Sequence, residues 1–308
     1  MINKNKTLNK NFLFDEPMSK HTTYRIGGPA KIYSNPSNKS ELIETLKYAK
    51  ANKLKIYFIG SGSNLLVSDS GINGLVISIR KNFNQLLIDG ENIFAETGVI
   101  LGRIVRESVK MNLSGFESLV GVPGTLGGAI IMNAGAFGGE ISNYLQSVNA
   151  ITLNGEEKSY NANDIIFSYR SSTFPRDEIL ISANFKLKKS SNHKISTNKS
   201  KANFGRKSTQ PLNFKSAGSV FKNPPEGAAG YFIDKAGLKG LKIGDAEISQ
   251  QHANFFVNHG KAKASDLVKL ICIAKKEVKK KYDINLELEI KTLGFEKGTF
   301  GSWKKYHF

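Results

Sequence analysis

Residues 116–136, FESLVGVPGTLGGAIIMNAGA, set five glycines and one proline into an otherwise apolar, small-residue run. Glycine admits positive φ and lets a ligand lie directly against main-chain N–H groups. Successive N–H groups bared in this way form a nest for anionic oxygen, and a pyrophosphate is its natural partner. A second turn of this kind, Gly60-Ser61-Gly62-Ser63-Asn64, comes about sixty residues earlier, after the strand-like run Lys55-Ile56-Tyr57-Phe58-Ile59. One glycine-rich turn alone is as often a plain tight turn. Two of them together point to a dinucleotide gripped from two sides.

Neither turn is a common nucleotide fingerprint. The run from Gly60 begins like the Rossmann G-x-G-x-x-G, but Leu65 stands where the third glycine belongs. No G-x-x-x-x-G-K-[ST] run occurs, so phosphoryl transfer of the P-loop type lacks its lysine cradle. A dinucleotide held here is held by another fold.

The chain has 308 residues, enough for a large buried core and for two or three domains. Its N-terminus, MINKNKTLNKNFLF, has lysines but no apolar core segment, so a secretory signal is not expected. No apolar run approaches the ~20 residues of a membrane span. The expected location is the cytoplasm. Cys272 is the only cysteine, which excludes an intramolecular disulfide, and no His or acidic motif beside it suggests a nucleophile. Net charge is +18, from 44 basic and 26 acidic residues. That excess attracts polyanions such as nucleic acid, anionic membrane or a phosphorylated substrate. A solvated lysine-rich surface accounts for most of it, and no nucleic-acid-binding signature or metal-ligand spacing accompanies it.

Short strands are expected at 55–59, 75–79, 86–88 and 92–96. Helices are expected over Ser40–Ala51, Ile100–Lys110 and Asp266–Lys281, each with apolar residues at helical spacing. Ile179, Ile181, Ala183, Phe185 and Leu187 alternate, the pattern of a half-buried strand. Strands mixed with a few helices indicate an α+β fold. Residues 179–225 contain ten Lys/Arg and no Asp or Glu, and the polar part of that stretch reads as a solvated basic linker at 189–203.

IGGPA at 26–30, GSGSNLLVSD at 60–69 and the 116–136 run resemble the flavin-binding half of the UDP-N-acetylenolpyruvoylglucosamine reductase family. The resemblance continues in order through FSYRSS at 167–172, GSVFKNP at 218–224, AGLKGLKIGDAEIS at 236–249, QHANFFVN at 251–258 and LELEIK at 286–291. It implies an FAD-binding domain of the p-cresol methylhydroxylase / vanillyl-alcohol oxidase type over 15–188, in two subdomains of about 15–70 and 71–188. The linker at 189–203 would lead to a C-terminal α/β substrate-binding domain over 204–300, whose last strand returns to the active site. The implied reaction is the NADPH-dependent, FAD-mediated reduction of UDP-N-acetylglucosamine enolpyruvate to UDP-N-acetylmuramate in peptidoglycan synthesis. A monomer with non-covalent FAD, no nucleic-acid partner, no membrane partner and no metal is expected.

Hydride reaching the terminal carbon of an enolpyruvyl ether leaves negative charge on the adjacent carbon. The site therefore needs a cationic clamp and a proton donor. The resemblance assigns the clamp to Arg170, whose planar guanidinium can hold a carboxylate or enolate by two parallel bonds. Ser219, beside Gly218, becomes the acid, because a hydroxyl is adequate against a strongly basic carbanion. Glu289 takes the second carboxyl role near the enol, and its choice over Glu287 rests on the motif. Period-2 alternation puts Glu287, Glu289 and Lys291 on one face of a strand. The cofactor positions are Gly60, Ser61, Gly62, Ser63, Asn64, Gly121, Pro123, Gly124, Thr125, Gly127, Gly128, Asn133, Gly135 and Arg206, with the Thr125 hydroxyl meeting the pyrophosphate. Tyr169, Lys222, Asn223 and His252 match substrate-contacting positions.

The chain departs from the family's usual pattern at Asp245, in place of a common glycine, at Leu288, in place of a common proline, and at Lys291, in place of arginine. The long insertion that carries a substrate-capping tyrosine in one subclass is missing, which favours the second subclass. Another FAD-linked oxidoreductase of the same fold is the nearest alternative, and a basic nucleic-acid-binding protein a more distant one.

Overall fold

The computed structural model describes residues 12–301. The expectation about a secretory signal concerns chiefly residues that lie outside this range. The chain divides into two compact units, each assembled from separate stretches. The first contains Phe12–Phe14, Ile32–Ser61 and Gly74–Arg206. The second contains Asp15–Lys31, Gly62–Asn73 and Lys207–Gly301. The expected boundaries thus differ from the observed grouping, because two short N-terminal stretches sit with the C-terminal unit. Their apolar side chains explain this: Tyr24, Ile26 and Leu66 are buried in the same core as Phe221, Phe256 and Leu267.

The first unit has two cores. In one, helix α1 (Lys39–Ala51) turns Leu42, Leu46 and Ala49 inward against Leu75 and Ile77. Asn38 caps this helix, its side chain accepting from Glu41 N at 3.0 Å, where an unbonded N–H would otherwise remain. Leu75 and Ile77 belong to the strand Ile72–Ser78, which pairs in parallel with Ile56–Ile59. In the other core, helix α2 (Leu101–Lys110) buries Leu101, Ile104 and Val105, and the short α3 (Leu126–Ile131) buries Leu126 and Ile130.

A five-stranded sheet backs both cores, in the order Glu157–Asn161, Leu145–Thr152, Glu178–Lys186, Asn92–Glu96, Leu86–Asp89. Its central strand, Glu178–Lys186, departs from simple alternation. Ser182 pairs with Asn149 and Leu180 with Ala150, so Ile181 is bulged out of register. The bulge shifts the alternation, so Leu180 faces the same core as Ala183 and Phe185 while Ile179 faces the other. A strand covered on both faces replaces the half-buried one expected from period 2.

The expected basic linker is a helix, α4 (Asn192–Thr209). Its polar composition concealed it, because only Ile195, Ala202 and Arg206 are buried. Asn198 lies on the same stripe and donates to Glu117 Oε1 at 3.3 Å. Such a helix is held by a few side-chain anchors rather than by a wide apolar face.

The second unit packs α5 (Ala229–Lys235) and α6 (Ala264–Tyr282) against a three-stranded sheet, Lys242–Ile243, Ala246–Ile248, Phe256–Asn258. The α6 N-terminus is closed from far away in sequence: Asp69 accepts from Ala264 N at 2.8 Å and Ser265 N at 2.9 Å. This satisfies two otherwise unpaired donors of the first turn. Cys272 is buried on this helix, as a packing residue. In the expected strand at 286–291, Leu286 and Ile290 are buried and Glu287 exposed, but Leu288 and Glu289 are alike half-buried, and regular pairing begins only at Lys291–Leu293, parallel to Leu65–Val67. Among the described residues no helix is long and apolar enough to cross a membrane.

Candidate active site

The first unit contains Gly60, Ser61, the glycine run at 121–135 and the Tyr-Arg pair. The stretch around 124–127 is stitched to residues 97–101: Leu101 N donates to Gly124 O at 3.0 Å, Leu126 N to Val99 O at 2.8 Å and Gly127 N to Thr97 O at 2.9 Å. The main-chain N–H of Gly127, one of the expected cofactor positions, is therefore committed to the fold. Thr125 precedes α3 with extended backbone, is buried, and makes no side-chain cap bond. Gly60 lies directly opposite. A Cβ built on it would collide with the Thr125 Oγ1, so only glycine allows the two loops to come this close. The two glycine turns, distant in sequence, meet in space at Gly60 and Thr125.

The C-terminal end of the same run supports the Tyr-Arg turn. Phe167–Ser168 and Ser171–Ser172 form a hairpin with Tyr169 and Arg170 as its two loop residues. Asn133 Nδ2 donates to Ser168 O at 3.2 Å, and Ser172 Oγ donates to Ile131 O at 2.9 Å. The hairpin is thus tied at both strands to the end of α3 and the turn just after it. Arg170 sits at φ +56°, a left-handed conformation that a non-glycine residue adopts at a cost. Its guanidinium lies 4.8 Å from the Tyr169 ring centroid. Strain at a loop tip carrying an exposed aromatic and a cation is a common mark of a functional residue.

Arg206 arrives from α4. It is 9% exposed and donates from Nε to Val120 O at 3.2 Å. Its aliphatic stem fills the space that a Cβ on Gly121 would need. Burial, and then the nearby charge of Arg170, make its guanidinium less basic than usual. Asn133, fully buried, donates from Nδ2 to Glu140 Oε2 at 2.7 Å, which fixes which end of the amide is which. Its Oδ1 is buried with no hydrogen-bond partner. A buried polar atom left open in this way costs free energy unless a ligand meets it.

Sequence reasoning passed over Glu117 in this region. Its carboxylate accepts from Ser114 Oγ at 2.7 Å, Gly115 N at 2.5 Å and Asn198 Nδ2 at 3.3 Å. Burial alone would raise its pKa, but these donors together hold it below the ordinary value. It anchors α4, and with it Arg206, to the start of the glycine run.

The second unit contains Ser219, Glu289, Lys222, Asn223 and His252. Two separate extended segments flank the Ser219 stretch. Ser219 bridges to Phe255 on one side, and Val220 N donates to Asn254 O at 2.8 Å. On the other side Val220 O accepts from Glu289 N at 2.8 Å and from Ile290 N at 3.4 Å, and Lys222 N donates to Glu287 O at 2.9 Å. Ser219 and Glu289 therefore lie on adjoining segments, although they are far apart in sequence. Two amides on one carbonyl are the pattern of a bulge, a device that re-aims side chains near functional sites.

Several expected ligand contacts have structural work as well. Asn223 Oδ1 accepts from Ala229 N at 3.1 Å, at the start of α5. Lys222 Nζ lies 3.6 Å from Glu287 Oε2. His252 Nδ1 accepts from Asn254 N at 3.2 Å, and burial lowers the ring's pKa. The neutral tautomer that results carries its proton on Nε2. Asn64 Nδ2 donates to Glu289 O at 3.1 Å, while Asn64 O accepts from Lys291 N at 2.9 Å.

Asn254 was not singled out from sequence, although it lies inside the QHANFFVN motif. Its side chain clamps Phe221, accepting from Phe221 N at 2.9 Å and donating to Phe221 O at 2.8 Å. Asp245, one of the departures, secures its own turn by accepting from Lys261 N at 2.9 Å. Among the described residues no three His, Cys, Asp or Glu side chains stand together as a metal site.

Residues 30–160 match a family described as an FAD binding domain, and 210–293 match UDP-N-acetylenolpyruvoylglucosamine reductase, C-terminal domain. The curated reductase of that name from Syntrophomonas wolfei is 38% identical over 92% of this chain and 95% of its own length. The one from Agathobacter rectalis is 40% identical over 92% of this chain and 94% of its own. The solved UDP-N-acetylenolpyruvylglucosamine reductase from Thermus caldophilus superposes with a TM-score of 0.79 at 34% identity, covering 92% of this chain and 98% of that one. The Gly60 cradle, the open Asn133 oxygen and the buried Arg206 all fit the demands of an FAD. With both domains matched in order and curated relatives aligned over 92% of the chain, this protein is a flavin-dependent oxidoreductase belonging to the UDP-N-acetylenolpyruvoylglucosamine reductase family.

Proposed function

We propose that this chain uses NADPH to reduce the enolpyruvyl group of UDP-N-acetylglucosamine enolpyruvate, forming UDP-N-acetylmuramate for peptidoglycan. The observation that carries the reading is the 2.8 Å bond from Glu289 N to Val220 O, which sets Ser219 and Glu289 on adjoining segments of one unit. Bound FAD supplies the relay of hydride from NADPH to the terminal carbon of the enol ether. The protein's side chains handle the charge and the proton. Arg170 steadies the negative charge that develops on the adjacent carbon and its carboxylate. Ser219 hands its hydroxyl proton to that carbon, so one hydride and one proton complete the saturated lactyl ether. Glu289 brings a carboxyl to the enol side. Gly60, Thr125, Asn133 and Arg206 hold the dinucleotide, and Tyr169, Lys222, Asn223 and His252 hold the nucleotide sugar. The enzyme acts as a cytoplasmic monomer of the second subclass, and the part of its basic excess not spent on a solvated surface serves diphosphate ligands rather than nucleic acid.

The test is spectroscopic. The purified protein should carry a flavin absorption band that anaerobic NADPH bleaches and the enolpyruvyl substrate restores. A flavin bleached by NADPH but indifferent to that substrate would favour another FAD-linked oxidoreductase.

A further inference from the structure

We infer that Asn64 is a positioning residue for Glu289, its side-chain amide serving that residue's main chain rather than the cofactor. The inference rests on the role given to Glu289 above. Regular parallel pairing between this loop and the returning strand begins with Leu65 opposite Lys291. Just before that pairing begins, Asn64 donates from Nδ2 to Glu289 O at 3.1 Å, while its own carbonyl accepts from Lys291 N at 2.9 Å. On the opposite flank Val220 O takes the N–H of Glu289 at 2.8 Å. Both polar groups of the Glu289 main chain are therefore held, one by each neighbouring segment. A carboxyl whose backbone is pinned on both sides starts from a fixed point. Releasing one side lets the bulged segment slide, and a shift of about 1 Å at a reacting group costs on the order of 10²-fold in rate.

The amide is suited to this as a carboxylate is not. A donor must face the Glu289 carbonyl, so Asn64→Asp would set two acceptors against each other at nearly unchanged volume. A side chain devoted to the cofactor would instead betray itself through flavin loss when altered.

The experiment compares Asn64→Ala and Asn64→Asp, each alone and combined with Glu289→Gln, in anaerobic stopped-flow with NADPH and then UDP-N-acetylglucosamine enolpyruvate. With Asn64 acting through Glu289, both single variants keep full flavin and a normal rate of flavin bleaching by NADPH. Reoxidation by the enolpyruvyl substrate slows about 10- to 100-fold. In the Glu289→Gln background the same changes cost less than about threefold, because the group being positioned is gone. Equal losses in both backgrounds would overturn the inference, as would either variant purifying without flavin or bleaching slowly with NADPH. If Asn64→Ala fails to fold, the near-isosteric Asn64→Asp gives the same readings. A Glu289→Gln enzyme that reoxidises at the wild-type rate would instead remove the reading of Glu289 beneath the inference.

Discussion

Arg170→Gly should separate stability from catalysis. At φ +56° the arginine holds a left-handed backbone, which costs an L-residue roughly 1–2 kcal/mol and glycine almost nothing. Two terms oppose that gain. Glycine loses about 0.5–1 kcal/mol more chain entropy on folding. The stacking of the guanidinium on Tyr169, 4.8 Å from its centroid, is worth about 0.5–1 kcal/mol at an exposed site. The terms nearly cancel, so stability should change by less than about 1 kcal/mol, a shift of roughly 2–4 °C or less in melting temperature. Catalysis has no such compensation. Removing one preorganised group from developing charge costs about 10²–10³-fold. Differential scanning calorimetry of the holoenzyme and stopped-flow reoxidation by the enolpyruvyl substrate read the two quantities independently. Arg170→Lys, which keeps the charge and the strained backbone but loses the bidentate fork, should fall between glycine and wild type in rate. A glycine variant that unfolds many degrees early would make Arg170 a structural residue. One that reoxidises normally would end its role as a clamp.

Ser219→Ala should leave anaerobic flavin bleaching by NADPH intact and slow substrate-driven reoxidation by about 10²–10⁴-fold, the loss typical of a positioned acid; the reverse pattern would refute the assignment. Gly60→Ala should destabilise by about 1–3 kcal/mol through its collision with the Thr125 hydroxyl and weaken flavin retention. Thr125→Ala in the same chain should recover most of the stability, and no recovery would mean that the strain lies elsewhere. His252 is held neutral, its folded pKa pushed below the ordinary 6.5 by burial. The unfolded chain therefore binds its proton first, and stability present above pH 6.5 should fall as pH drops below it. His252→Gln should flatten that acid-side decline in a melting-temperature profile, and an unchanged slope would place the titrating group elsewhere.

What could be read from the chain alone was set by local chemistry. Helices α1, α2 and α6 announce themselves through apolar side chains at helical spacing, because an amphipathic face is a property of neighbouring residues. The glycine turns at 60–64 and 121–128 are readable for the same reason, since no other residue permits so close an approach as that of Gly60 to Thr125. Helix α4 was not readable, because its stability comes from Glu117 and Val120, which Asn198 and Arg206 reach only after folding. The bulge at Ile181 likewise depends on the neighbouring strand, which no pattern within 178–186 records. Asn64, Asn223 and Asn254 carry the same lesson, for a side-chain amide bonds whatever backbone the fold brings to it. That Ser219 and Glu289 adjoin, and that the second unit takes in residues 15–31 and 62–73, are decided by long-range main-chain hydrogen bonds and by burial of Tyr24, Ile26 and Leu66. The residue types in a motif name its chemistry, but their distances exist only once distant segments have paired.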